Sequence, residues 1–190
     1  MADETWTVRI DGASRGNPGP AAYAMVIERP GQPVYEEADC LGETTNNVAE
    51  YTALLKALER CEDFGGRKLL IFSDSELLVK QMNSEYRVKS EDLKPMYAEA
   101  SERLKAFDRV TIRHVRRDQN ARADELCNSA LDGRPLTPVA APKPDLRERV
   151  LDCLRRAATA WARGDARQPT PEQVCDELWA ILGREAKHSR

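Results

Sequence analysis

Residues 6–28 read WTVRIDGASRGNPGPAAYAMVIE, and they set the pattern for the rest of the domain. The apolar residues Trp6, Val8 and Ile10 alternate with polar ones, which predicts a half-buried β-strand. A segment rich in Gly, Asn and Pro predicts a turn, and AAYAMVIE predicts a second, antiparallel strand. Asp11 stands where the first apolar alternation ends. The segment after Asp11 is rich in proline and free of lysine, unlike a phosphate-binding loop. The role of Asp11 must therefore be inferred together with other residues of the chain.

The remaining elements follow from apolar periodicity. In order they are a strand over 34–42, a helix over 44–61, a strand over 67–74, helices over 75–83 and 90–107, a strand over 109–115 and a helix over 120–131. This order predicts an α/β fold with a five-stranded mixed sheet flanked by helices. Three strands are antiparallel, and two more are reached through helical crossovers.

The composition changes abruptly after the last of these helices. We expect one domain over 1–133, a proline-rich linker over 134–144 and a C-terminal two-helix extension over 145–190. The two helices are predicted over 145–163 and 171–187. An apolar seam is expected between them, formed by Leu151, Leu154, Ala158, Trp161, Val174, Leu178, Trp179 and Leu182. Packing on the body of the protein or self-association through these helices is expected, and a grip on nucleic acid is the alternative.

Charge is distributed unevenly over the chain, whose formal net charge is −3. Residues 1–133 carry 18 Lys and Arg against 24 Asp and Glu, whereas residues 134–190 carry 11 against 8. The first part therefore does not fit a nucleic-acid binder that acts through bulk positive charge. If it meets a phosphate backbone, bound divalent metal must neutralise the contact.

The surroundings of the protein are indicated by its cysteines and its apolar runs. Five cysteines are scattered without a C-x-x-C pair, which favours reduced thiols over disulfides or zinc. No run approaches the ~18 apolar residues of a membrane span. The opening MADETWTVRI has no basic and apolar signal pattern. We therefore expect a cytoplasmic protein without membrane partners.

Four carboxylates carry the chemistry: Asp11, Glu50, Asp74 and Asp124. Asp11 ends the first predicted strand and Asp74 ends the fourth, and ligands bind where strands of such sheets end. Glu50 lies on the inward stripe of its helix, and Asp124 lies early in the last helix. Four acids at one end of a sheet would repel one another without a cation. An all-oxygen set suits two Mg²⁺ ions, or Mn²⁺ in their place, which can together promote phosphodiester hydrolysis.

Each acid alone also has a structural interpretation, which the sequence leaves open. Asp11 could cap the turn that follows it, and Asp74 could be the N-cap of the next helix. Glu50 could favour the positive end of its helix. Asp124 could pair with Arg122 or Arg116 on a solvated face.

Four segments together resemble the signature blocks of the type 1 ribonuclease H family, in the same order and spacing. They are IDGASRGNPGPAAYA, TTNNVAEYTAL, IFSDSELLVKQMN and HVRRDQNARADELCNSA. The resemblance covers roughly residues 5–132 and implies a ribonuclease H-like catalytic domain. It implies an endonuclease that uses two Mg²⁺ ions to cut the RNA strand of RNA/DNA hybrids, leaving 3′-hydroxyl and 5′-phosphate ends. The same four acids become the implied metal ligands, with Asp11 bridging both ions.

The resemblance also implies substrate contacts. The candidates are Gly12, Ser14, Asn17, Thr45, Asn46 and Asn47. The small residues let the backbone approach a nucleic-acid strand. The three asparagines suit 2′-hydroxyls and base edges of a wide minor groove, and Thr45 resembles a position that holds a DNA-strand phosphate. A helix N-cap is the structural alternative for Asn46 or Asn47.

The chain departs from many family members at two places. The loop before the last helix has no histidine, so His114 is expected to be structural. Only a short connection joins the two middle helices, without a basic protrusion. Both absences match the family's compact subgroup and leave Arg87, Lys89, Arg116 and Arg117 as candidates for phosphate contacts. A catalytically silent hybrid-binding module and a nuclease that also cuts double-stranded RNA stay open as alternatives.

Overall fold

The computed structural model describes residues 4–134 and, beyond them, residues 150, 153–154, 157–158, 161, 170, 173–176 and 178–179. The first part contains five strands and four helices in the predicted order. They are β1 (Thr5–Ser14), β2 (Gly19–Glu28), β3 (Tyr35–Thr44), α1 (Asn46–Asp63), β4 (Lys68–Ser73), α2 (Glu76–Met82), α3 (Leu93–Arg103), β5 (Arg109–His114) and α4 (Ala121–Leu131). Short 3₁₀ turns follow α3 and precede α4.

The sheet has the order β3-β2-β1-β4-β5. β1 pairs antiparallel with β2, which pairs antiparallel with β3. β4 lies parallel to β1 on its other side, and β5 lies parallel to β4. The predicted mixed sheet, with three antiparallel strands and two reached through helices, is thereby confirmed.

β1 is longer than the sequence predicts. It continues past Asp11 to Ser14, and its last residues pair with β2, as in the pair of Ala13 with Ala22. The sequence places a turn directly after Asp11 because Gly, Ser and Pro are poor strand formers. Backbone pairing with β2 overrides that preference, so the tight turn lies between Ser14 and Gly19. Asp11 is therefore inside a paired strand.

Apolar cores form on both faces of the sheet. The larger core packs β1 and β2 against α1, with Ile10, Met25 and Leu54 fully buried. The smaller one packs the other face of β2 against Leu126 and Cys127 of α4. Only alternate residues of β4 are fully buried, and two of them, Leu69 and Ile71, belong to the larger core. The centre of the sheet is thus packed between α1 and α4.

The C-terminal residues form a separate compact unit that begins at Val139. In its described part, Cys153, Ala157 and Val174 are buried, with Leu178 packed against them. The predicted seam is wrong for the first helix by one residue, since Leu154, Ala158 and Trp161 are exposed, and it is wrong at Trp179 of the second, which is exposed as well. The small side chains of Cys153 and Ala157 let the two segments pack closely there. The linker predicted over 134–144 lies outside the described residues from 135 onward, as do Leu151 and Leu182.

Two further expectations can be compared with the structure. Cys40, Cys61, Cys127 and Cys175 are free thiols. Among the described residues, no helix combines the length and apolarity needed to cross a bilayer.

Candidate metal centre

Three of the four predicted acids meet where β1, α1 and β4 converge. Asp11 lies in β1 opposite Ala24 of β2, Glu50 is in α1, and Asp74 directly follows β4. One carboxylate oxygen from each lies within 4.8 Å of the others. Asp11 and Glu50 are each only 4% exposed. The structure thus places three negative side chains in one largely buried cluster.

Gly12 allows α1 to approach β1 this closely. A Cβ atom built on Gly12 would lie 2.2 Å from the Glu50 backbone nitrogen and 2.3 Å from the Ala49 carbonyl carbon. No side chain fits between the two backbones. The Gly12 N–H also donates to the Glu50 carboxylate, which favours its charged form. Gly12 therefore has a structural role in forming the cluster, and its predicted substrate contact stays a prediction.

The cluster is electrostatically unfavourable without a cation. Burial raises the pKa of Asp11 to about 7, and the charges of Asp74 and Asp124 add to the rise. Burial also raises the pKa of Glu50 well above its ordinary value, with smaller contributions from Asp11 and Asp74. Asp11 Oδ2 and Glu50 Oε2 are buried and have no hydrogen-bond partner among the described residues. A divalent cation would give both oxygens a partner, and an all-carboxylate set suits a hard cation rather than zinc.

Asp124 lies at the border of the cluster, paired with an arginine. The Arg117 guanidinium, on the turn before α4, donates to Asp124 Oδ1. Asn128 donates to Asp124 Oδ2 at 3.1 Å. The positive charge of Arg117 also lowers the pKa of Asp11 and of Glu50. Arg117 therefore provides a positive charge beside the acids in this structure.

The partners that the sequence offers for Asp124 were wrong. Arg122 pairs instead with Glu36 of β3, and Arg116 pairs with Asp118. The adjacent arginines before α4 were a visible signal for a cation near the acids. The sequence could not show which of the two contacts Asp124, because the directions of their side chains depend on the 3₁₀ turn that begins at Arg117.

The structural alternatives for the other acids are not supported. Ser75, not Asp74, caps α2, because its hydroxyl accepts from the Leu78 N–H. Asp11 lies inside a strand, and no acidic residue occupies the first turn of α1. His114 Nε2 lies 3.2 Å from the Asp74 carbonyl, which can only accept, so the ring donates and holds the end of β4. This contact agrees with the structural role expected for His114.

The polar candidates for substrate contact lie around the start of α1. Thr45 caps this helix by accepting from the Val48 N–H, so neither Asn46 nor Asn47 has the capping role. Asn46 Oδ1 accepts from the Ser14 N–H at 3.2 Å, and the Asn46 N–H donates to Asn17 Oδ1 at 3.2 Å. These bonds join the end of β1, the turn behind it and the first residue of α1. Three of the six candidates, Ser14, Asn17 and Asn46, therefore form one connected polar edge.

A groove continues from this edge toward the α2–α3 connection. It has a volume of about 580 Å³, and Asn47 lines it together with Leu77 and Tyr86. Arg87 and Lys89, two of the predicted phosphate-contact candidates, also line it. Tyr86 is 50% exposed, and Lys80 Nζ lies over its ring, 4.8 Å from the centroid. The groove thus combines an amide, a half-exposed aromatic residue and the cations Arg87 and Lys89.

Arg117→Ala should change how strongly divalent metal stabilises the protein. Without Arg117 the metal-free cluster loses a positive charge, so its melting temperature should fall, by less than about 4 °C for a partly exposed pair. Added Mg²⁺ should then raise the melting temperature more than in the wild type, since no guanidinium competes for Asp124. Thermal unfolding with and without Mg²⁺ measures both effects. Arg116→Ala is the matched control and should behave like the wild type; equal metal shifts in all three proteins would contradict the competition.

Comparison with known proteins gives the family. The family described as Reverse transcriptase-like matches residues 9–130. Ribonuclease HI of Halobacterium salinarum is 46% identical over 124 residues, which cover 65% of this chain and 62% of that protein. Ribonuclease H of Dechloromonas aromatica is 31% identical over 69% of this chain and 96% of that protein. LC11-RNase H1, solved in complex with an RNA/DNA hybrid, superposes with a TM-score of 0.63 at 40% identity, covering 67% of this chain and 97% of that one.

The sheet order and the carboxylate cluster define a ribonuclease H-like protein with a divalent-metal site. The chain belongs to the type 1 ribonuclease H family. The matched region spans less than two thirds of the length of the Halobacterium relative.

Proposed function

We propose that the protein is an endoribonuclease that cleaves the RNA strand of RNA/DNA hybrids by hydrolysis with two Mg²⁺ ions. The supporting observation is the buried cluster of Asp11, Glu50 and Asp74, whose oxygens approach within 4.8 Å and include two buried atoms without partners among the described residues. Buried carboxylates this close together destabilise the fold when no cation is bound, so the arrangement fits a cation-binding site better than a purely structural one. A silent hybrid-binding module would have no chemical need for it.

In the proposed reaction the chain supplies the metal ligands and a positive charge near the phosphate. Asp11, Glu50, Asp74 and Asp124 would hold the two ions. Bound Mg²⁺ supplies Lewis-acid stabilisation of the attacking and leaving oxygens. Asp124 is paired with Arg117 in this structure, and exchange of Arg117 for a cation would free the guanidinium to contact the phosphate. Water attacks the phosphate and the 3′-oxygen leaves, so the products carry 3′-hydroxyl and 5′-phosphate ends.

The polar edge and the groove suit the two strands of a hybrid. Asn17, Asn46 and Asn47 present amides beside the acids, where they can contact 2′-hydroxyls and base edges of the RNA strand. The groove would bind the DNA strand. The half-exposed Tyr86 can contact a sugar or base there, and Arg87 and Lys89 can contact phosphates. The solved hybrid complex of LC11-RNase H1 supports this choice of substrate.

Cleavage of a hybrid with differently labelled strands tests the proposal. With Mg²⁺ we expect cuts in the RNA strand alone, and Mn²⁺ should substitute; EDTA should abolish them. Ligation of the products reports the 5′-phosphate. A folded protein without metal-dependent cleavage would support the silent module instead. Equal cleavage of double-stranded RNA would replace the proposed substrate with a broader one.

Asn47→Ala should weaken hybrid cleavage without altering the fold. Asn47 lines the groove, and the helix is capped by Thr45, so its loss removes a substrate contact rather than a cap. Loss of one hydrogen bond of about 0.5–1.5 kcal/mol predicts a fall in kcat/KM of roughly 2- to 10-fold. Asn46→Ala should lower both kcat/KM and the melting temperature, because Asn46 also holds the Ser14 N–H. Unchanged kinetics in both variants would remove these amides from the substrate site.

A further inference from the structure

Asn120 is a fully buried polar residue that directly precedes α4. Its position suggests a helix N-cap, but its side chain makes no capping bond. Instead, Asn120 Nδ2 donates to the Ile10 carbonyl at 2.8 Å and lies 3.4 Å from Asp74 Oδ1. The side chain therefore turns away from its own helix and toward the metal centre.

The orientation of the amide is fixed by its neighbours. A backbone carbonyl and a carboxylate both accept hydrogen bonds, so the NH₂ group of Asn120 must face Ile10 and Asp74. Reversing the amide would place its oxygen against two acceptors. The two N–H groups thus donate to one acceptor in β1 and to another directly after β4.

Asn120 connects the segments that carry three of the acids. Ile10 immediately precedes Asp11 in β1, and Asp74 follows β4. The Asn120 carbonyl accepts from the Asp124 N–H at 3.2 Å, so the residue also fixes the first turn of α4. One side chain and its backbone therefore contact the Asp11 strand, the Asp74 carboxylate and the Asp124 helix.

The other end of the amide argues against a purely stabilising role. Asn120 Oδ1 is buried and has no hydrogen-bond partner among the described residues. A buried acceptor without a hydrogen bond destabilises the folded protein. A residue that only stabilised the fold would not be expected to bury an acceptor without a partner. A residue that orients metal ligands can do so, because its function compensates for the lost stability.

We propose that Asn120 is a positioning residue that fixes the spacing of Asp11, Asp74 and Asp124 for divalent-metal binding. It does so by donating to the Ile10 carbonyl and to the Asp74 carboxylate at once. The expected effect of Asn120 on cleavage rests on the proposed function. The expected effect of Asn120 on metal affinity does not, and it is measured separately.

Asn120→Ala tests the proposal through metal binding and kinetics. Calorimetric titration with Mn²⁺ should show affinity reduced by about 10- to 100-fold, as for other residues that orient metal ligands. On hybrid substrate, kcat should fall by a similar factor at fixed Mg²⁺ while KM stays within about 2-fold, and higher Mg²⁺ should partly restore kcat. Asn120→Ser, which keeps one donor instead of two, should lie between alanine and the wild type.

The matched control is Asn83→Ala. Asn83 Nδ2 also donates to a strand carbonyl, that of Ile112, but its bond holds β5 rather than an acid. It should lower the melting temperature slightly and leave Mn²⁺ affinity unchanged. The proposal is overturned if folded Asn120→Ala binds Mn²⁺ as the wild type does. If that variant does not fold, wild-type metal affinity in Asn120→Ser overturns it equally. If the wild type binds Mn²⁺ but cleaves no hybrid, the proposed function is contradicted. The comparison of Mn²⁺ affinities would still test the role of Asn120.

Discussion

Asp11→Asn is expected to lower hybrid cleavage by about 10³-fold or more, which corresponds to roughly 4 kcal/mol of transition-state stabilisation. The same substitution should make the metal-free protein more stable. Asparagine has the shape of aspartate but no charge, so it removes repulsion with Glu50 and Asp74 inside the buried cluster. Its amide can also donate to those carboxylates. Activity assays and thermal unfolding in EDTA measure the two opposite effects.

The stability gain of Asp11→Asn should depend on pH with a defined sign. Since the folded protein raises the pKa of Asp11 from 3.8 to about 7, folding favours the protonated carboxyl. That contribution is complete below pH 4 and is lost as the pH rises to 7. The variant should therefore match the wild type near pH 4 and exceed its melting temperature increasingly toward pH 7. Asp39→Asn, at an exposed position of β3, is the control and should show neither effect. Strong destabilisation of metal-free Asp11→Asn would mean that the carboxylate is structural.

Gly12→Ala is expected to destabilise the protein by about 3 kcal/mol or more and to abolish measurable cleavage. The added methyl group would meet backbone atoms of Ala49 and Glu50 at 2.2–2.6 Å. No rotamer change can relieve a contact between two backbones, so α1 must move away from β1. Glu50 then moves away from Asp11, and a displacement of 1 Å in such a site can cost about 10²-fold in rate. Chemical denaturation and hybrid cleavage measure the two losses.

Gly65→Ala separates this steric effect from the general cost of replacing glycine. Gly65 has a positive φ of 78°, but no atom of the described residues lies within 4 Å of the place that an added methyl group would take. Only a backbone cost of about 1–2 kcal/mol is therefore expected, and its activity should be unchanged. If Gly12→Ala were no worse than Gly65→Ala, the close approach of α1 and β1 would not be what brings Glu50 to Asp11.

The sequence alone predicts the order of elements and the acids that meet, because both depend on strong local patterns. The alternation around Ile10 and the helical spacing around Leu54 define the two faces that pack together. Once the strands and α1 are assigned, inward acids at the ends of these elements must converge. The packing of the core therefore determines the position of the cluster.

Other features depend on neighbours distant in sequence and could not be predicted in this way. Ser14 remains in a strand because β2 pairs with it, although its local sequence favours a turn. Thr45 and Asn46 are both good caps, and the bond from the Ser14 N–H takes Asn46 away from that role. Asn120 has the position of a cap, but the Ile10 carbonyl and the Asp74 carboxylate draw its amide inward. In each case a residue with several possible partners is fixed by tertiary contacts.

Calorimetric titration of the metal-free protein with Mn²⁺ at pH 7, in buffers of different ionisation enthalpy, examines the carboxylate cluster itself. Because burial raises the pKa of Asp11 to about 7, its carboxyl is partly protonated before metal binds, and the raised pKa of Glu50 acts in the same direction. We predict saturable binding with net release of protons, and loss of both in Asp11→Asn. Binding of equal affinity and equal proton release in Asp11→Asn, or no saturable binding in the wild type, would contradict a metal centre at these acids.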